Sequence, residues 1–79
     1  MECFAGLDVS LKEISICVVN ESGKTIARGI CPADAERVAG WFHARSLAPI
    51  KIVHESGQLS IWLQRGMIKL GLPAICGFR

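Results

Sequence analysis

No apolar run in this sequence approaches the ~18 consecutive residues that a membrane-spanning helix requires. The amino terminus, Met1-Glu2-Cys3-Phe4, lacks the basic residues that open a secretory leader, so a cytoplasmic protein is expected. None of the four cysteines, Cys3, Cys17, Cys31 and Cys76, stands at Cys-x-x-Cys spacing, which argues against zinc. Each lies in an apolar, strand-like run and reads as a small buried hydrophobe in a reducing compartment. Charge is scarce too. A net charge of +2 with no basic cluster is too little to argue nucleic-acid binding by itself. Repeats, low-complexity tracts and linkers are absent, and 79 residues allow one small domain.

Apolar residues, by contrast, are plentiful. They make up 51% of the chain, and the mean hydropathy is +0.38. That is more buried-type surface than one small core covers, which predicts a missing segment or a partner. Alternating patterns predict strands over about residues 3–9, 13–20 and 25–30, with Pro32 breaking the third. The turn Asn20-Glu21-Ser22-Gly23-Lys24 has hairpin chemistry. Asp34 is placed to cap a helix carrying Ala35, Val38, Trp41 and Phe42, ending near Ser46. A fourth strand, Lys51 to Glu55, leads to a helix over about Leu59 to Leu70, capped by Ser56 or Gly57. Its inner stripe is expected to be Leu59, Trp62, Leu63, Gly66 and Leu70, and Gly71 and Pro73 stop it. Pro73 to Phe78 reads as a fifth strand.

The resulting order, βββαβαβ, predicts an α/β fold. Its mixed sheet has strand order 3-2-1-4-5 with helices on its faces, as in the ribonuclease-H-like fold up to its fifth strand. The first and fourth strands are then parallel neighbours, and each ends on a carboxylate. Asp8 closes Cys3-Phe4-Ala5-Gly6-Leu7, and Glu55 closes Lys51-Ile52-Val53-His54. An acidic side chain ending a buried strand is costly unless a donor, a cation or a metal meets it. Adjacent strands lie ~4.8 Å apart, near enough for two carboxylates to share a divalent metal. Alone, Asp8 also reads as a turn-capping carboxylate and Glu55 as a solvated strand end. His54 should face the other side of its strand. Trp41 and Trp62 read as core, Ser10 and Ser56 as caps, and Lys12, Arg65 and Lys69 as solvated charge.

Three stretches carry a family likeness. Phe4-Ala5-Gly6-Leu7-Asp8-Val9-Ser10, the hairpin Val19 to Lys24, and His54-Glu55-Ser56-Gly57-Gln58-Leu59-Ser60-Ile61-Trp62-Leu63 resemble the amino-terminal RuvC-like domain of DEDD insertion-sequence transposases. These form the IS-one-ten-type family, related to Piv-type DNA invertases. The resemblance runs over nearly the whole chain and is most specific after Glu55. It implies a single RuvC-like transposase domain over residues 1–79, incomplete, with Asp8 and Glu55 as catalytic, metal-binding carboxylates and Mg²⁺ or Mn²⁺ as cofactor. It also implies DNA as partner in the full-length relative, and an RNA guide as in some relatives. The family's acidic tetrad has two further aspartates, which have no counterpart here, since Asp34 and Glu36 start the first helix. Weak metal binding and no activity of this chain alone are therefore expected. Self-association through Ile75 and its neighbours, or through the outer face of the second helix, is expected as well.

Two other classes compete. A non-catalytic DNA-binding or self-associating module fits the high apolar content. An actin-like ATPase or sugar kinase shares the fold, but its first hairpin needs a glycine soon after the aspartate for phosphate to approach backbone amides. Here that segment is Val9-Ser10-Leu11-Lys12.

Overall fold

The structure is a computed structural model that describes residues 2–55 and 58–77, with side chains described for 2–54 and 61–75. Seven elements follow in order: β1 (Cys3–Val9), β2 (Glu13–Asn20), β3 (Thr25–Pro32), α1 (Ala35–Ala44), β4 (Lys51–Glu55), α2 (Gln58–Lys69) and β5 (Ala74–Gly77). The five strands form one sheet in the order β3-β2-β1-β4-β5, as expected. β2 runs antiparallel to β1 and β3, while β4 runs parallel to β1 and β5.

Strict alternation builds the sheet. Cys3, Ala5 and Leu7 of β1 and Ile14, Ile16 and Val18 of β2 are buried on one face, together with Ile52 and His54 of β4. Residues between them, such as Gly6, Asp8, Glu13 and Ser15, point the other way and are exposed. Asn20 closes the β2–β3 hairpin: its side-chain oxygen accepts from the amides of Ser22 at 2.9 Å and Lys24 at 3.0 Å. Gly23 takes the left-handed conformation that the turn requires, at φ 84°. The third strand reaches Pro32, two residues beyond the expected end. Pro32 sits at the strand's last position, where its missing amide hydrogen interrupts no continuing ladder.

Asp34 caps α1, its carboxylate accepting from the Glu36 amide at 2.9 Å. The helix stops at Ala44, short of the expected Ser46, which adopts φ 55° just beyond it. The Leu47 amide bonds back to the Phe42 carbonyl at 2.9 Å and closes that end. The Arg45 guanidinium lies 4.1 Å over the Trp41 ring and donates to the Trp41 carbonyl at 3.0 Å. Gly71, at φ 81°, terminates α2 as expected, with the Leu72 amide bonding to the Met67 carbonyl. The expected cap at Ser56 or Gly57 and strand residue Phe78 lie outside the described residues.

Two expectations need correction. Both helices pack on a single face of the sheet, with Gly66 of α2 set close against Ala35 of α1. Both crossovers advance the same way along the sheet, from β3 past β1 to β4 and then to β5. Right-handed crossovers that advance one way set their helices on one side. The inner stripe of α2 also differs: Leu63 and Met67 are buried, while Trp62 and Leu70 are 60% and 46% exposed. Helix–helix contact along the Gly66 edge rotates α2 so that residue 67 rather than 62 or 70 meets the sheet. Trp41 is core as expected, seated over β3.

Gly29 of β3 is the floor under Trp41. A Cβ there would meet the indole Nε1 at 2.5 Å, and a packed ring has little room to yield. Gly29→Ala is expected to destabilise by about 1–3 kcal/mol, and Gly29→Ala/Trp41→Leu by less than the sum of the two single changes, read by urea denaturation. Cys31, on the same face, has its thiol pKa raised from 9.0, first by burial and then by the Asp34 charge. The folded chain holds this proton more tightly than the unfolded chain. The associated stability is therefore complete below the unfolded value and lost as pH rises through the raised folded one. Stability is expected to fall above about pH 9, and Cys31→Ala to flatten that fall in denaturation curves measured from pH 7 to 10.

Candidate functional site

β1 ends at the sheet centre, and the last pair in its parallel register with β4 is Leu7 with His54. One residue further, the backbones of Asp8 and Glu55 lie side by side at the carboxyl ends of neighbouring parallel strands. This is the edge at which open α/β sheets place ligands. Asp8 is also the antiparallel partner of Ser15 in β2, and Glu55 is the parallel partner of Gly77 in β5. The two residues thus stand near the ends of interior strands, each flanked by a strand on both sides.

Local hydrogen bonds hold the turn after Asp8. The Ser10 amide donates to the Glu13 carbonyl at 2.9 Å, and the Ser10 hydroxyl donates to the same oxygen at 2.7 Å. The Glu13 amide returns a bond to the Ser10 hydroxyl at 3.3 Å. Ser10 is therefore the turn-closing residue, and Asp8 is not. Among the described residues no side-chain hydrogen bond or ion pair engages the Asp8 carboxylate, which lies exposed on the sheet face opposite the helices. The turn-capping account of Asp8 thus loses its partner. His54 is 1% exposed and sits on the helix-covered face, as expected from strand alternation.

Around the site, Trp62 departs most from expectation. Its ring borders a cavity of about 240 Å³ beneath the β1–β2 turn, lined also by Val9, Ser10, Leu11, Ala33 and Leu63. Arg65 and Lys69 lie further along α2, exposed, beside a groove shared with the start of α1. Lys12 is exposed in the turn. Cys17 is half-buried on the Asp8 face, and Cys3 and Cys31 are buried, so two of these three described cysteines fit the small-hydrophobe reading. The side chain of Cys76 lies outside the described residues, as does that of Glu55.

An exposed carboxylate at Asp8 beside the backbone of a second acidic residue offers oxygen donors of the kind that hard divalent cations use. Asp8 offers a solvent-facing carboxylate with no competing partner among the described residues, and the register sets a second acidic residue beside it. Mg²⁺ needs about six oxygen ligands, of which water and substrate phosphate usually supply several. Among the described residues no cluster of three or more His, Cys, Asp or Glu converges.

Among the described residues, no helix is long and apolar enough to cross a membrane. No protein-family model matches the sequence, and no curated protein matches it. Solved structures do. The RuvC of T. thermophilus in complex with a Holliday junction substrate superimposes with a TM-score of 0.61 at 15% identity, over 98% of this chain and 64% of that one. A further Thermus thermophilus RuvC structure gives 0.56 at 22% identity, over 94% of this chain and 60% of that one. The chain therefore spans somewhat under two thirds of the length of these structures. At such identities the likeness establishes the fold, and that fold is RuvC-like and ribonuclease-H-like.

Proposed function

We propose that residues 1–79 form the RuvC-like amino-terminal domain of a DEDD transposase or recombinase, in which Asp8 and Glu55 bind a divalent cation for phosphodiester chemistry on DNA. The observation that carries this reading is the parallel β1–β4 register, which sets the two acidic positions side by side at a sheet edge. The sequence resemblance to insertion-sequence transposases supports it. So does the structural likeness to a RuvC whose structure holds a Holliday junction substrate. The RNA guide that some relatives use rests on the sequence resemblance alone.

In this reading Asp8 and Glu55 bind and orient the cation, and Ser10 locks the turn that presents Asp8. The chemistry Mg²⁺ supplies when bound is stabilisation of the charge that builds on phosphate oxygens during strand cleavage. Two such ions ~4 Å apart serve the full reaction. Two carboxylates suit one. The nucleotide-binding alternative finds no support in the turn after Asp8, where Val9-Ser10-Leu11-Lys12 holds no glycine to open backbone amides to phosphate.

Two measurements test this. Titration with Mn²⁺ is expected to broaden the amide resonances of Leu7, Asp8 and His54. Asp8→Asn should weaken that effect by about tenfold or more; equal broadening in the variant would remove the metal site from the proposal. The purified chain is expected to leave branched and linear DNA intact in Mg²⁺ or Mn²⁺. Nicking that Asp8→Ala abolishes would overturn the expected inactivity while strengthening the site, and DNA binding unaffected by metal or by Asp8→Asn would favour the non-catalytic module.

A further inference from the structure

The cavity beneath the β1–β2 turn takes no part in the chemistry proposed at Asp8. It measures about 240 Å³, below the ~300 Å³ at which clefts for drug-sized ligands begin, so its occupant is on the scale of one ring system. Val9, Leu11, Ala33 and Leu63 give it apolar walls, and among the described residues no charged side chain lines it. Trp62 forms the rim. Its ring is 60% exposed, and among the described residues its indole N–H donates to no protein group. An indole left at the mouth of an apolar hollow is a platform on which a flat aromatic group stacks.

Position and charge say which flat group. Ser10 lines the cavity two residues after Asp8, ~7 Å along the strand, a length that two stacked nucleotides cover. Lys12 stands exposed at the tip of the turn. Arg65 stands exposed three residues beyond Trp62, on the same side of α2. Among the described residues neither cation is paired with a carboxylate, and the Asp34 carboxylate next to Ala33 is turned to the Glu36 amide. A cation therefore flanks the indole on either side, the alternation of aromatic and basic groups that holds single-stranded nucleic acid. An aliphatic side chain would fill the cavity but leave both cations unmatched. Duplex DNA hides the faces of its bases in the stack, so the base that enters is unpaired.

We infer that the cavity receives one unpaired DNA base stacked on Trp62, while Lys12 and Arg65 meet the phosphates on either side of it. The inference rests on the reading of the chain as one that acts on DNA, and it adds a second contact to that reading. Asp8 faces the other side of the sheet, so a strand that meets both crosses the turn over Leu11, which is 75% exposed. Stacking of this kind reads no sequence, since every base has an aromatic face. The contact positions the strand without choosing the target.

Titration of the full chain against a short, labelled thymidine strand, at low salt and without metal, is expected to raise the label's anisotropy and quench tryptophan emission. Trp41 is buried, so the change in emission reports Trp62. Trp62→Ala should weaken binding by about tenfold, and Trp62→Phe, which keeps a ring face, by much less. A strand of the same length with abasic residues should bind the unmodified chain about tenfold more weakly, and should not distinguish it from Trp62→Ala. Lys12→Ala and Arg65→Ala should weaken both strands alike and flatten the salt dependence. Circular dichroism should show every variant folded. Equal affinity for the thymidine and abasic strands would overturn the stacking and leave the Asp8 site untouched. So would a folded Trp62→Ala that binds thymidine as tightly as the unmodified chain. Binding of neither strand would overturn the inference together with the DNA reading.

Discussion

The parallel pairing of β1 with β4 is the contact on which the other features depend. It joins strands separated by two further strands and a helix, and parallel neighbours of this kind need a covered crossover to exist. The Ala5–Ile52 and Leu7–His54 pairs point under the helices, where Leu63 and Met67 close over the sheet. Because side chains alternate, slipping β1 by one residue would drive Asp8 into that core and bring Leu7 to solvent. An ionised carboxylate without a partner in such surroundings is strongly disfavoured. Hydrophobic register and carboxylate placement are therefore one constraint. The burial of Leu7 and His54 is what leaves the next position of each strand at the sheet edge.

A second consequence follows from the same-direction crossovers. With α1 and α2 on one side, the sheet has a packed face and a bare face, and the molecule's surfaces divide accordingly. The bare face holds Asp8, the half-buried Cys17 and exposed aliphatic residues on β3, β4 and β5. The helix layer presents the outer side of α2 and the groove beside α1. Close approach of the helices at Gly66 governs how α2 is rotated, and so which of its apolar residues are left over. Leu63 and Met67 fill the space above the sheet. Trp62, one position away from Leu63, has no sheet beneath it and borders the turn cavity instead.

Much of the fold was legible in the sequence because it rests on local signals. Period-two alternation marked β1, β2 and β4. Asn20 with Gly23 marked the hairpin, Asp34 the helix start, and Gly71 the helix stop. These signals act over a few residues, where turn geometry and capping bonds dominate, so neighbours in sequence suffice to read them. Asp8 and Glu55 were legible as candidates for the same reason: each interrupts an apolar run at its last position. The extra residues of β3 escaped notice because Pro32 reads as a breaker wherever it falls, whereas at the last rung it removes nothing.

The sequence by itself determined the order and kind of the elements, and with them the strand order and the adjacency of the two acidic strand ends. Only the tertiary structure decided which face each helix covers, how α2 is rotated on the sheet, and hence that Trp62 stands outside while Met67 lies within. On an isolated helix both residues belong to a broad apolar arc, and nothing local ranks one above the other. Their fates separate when Gly66 meets Ala35, since a close approach between two helices fixes a rotation that neither helix encodes alone. The same packing left Glu36 and Arg65 on facing walls of one groove, a juxtaposition of residues 29 positions apart in the chain.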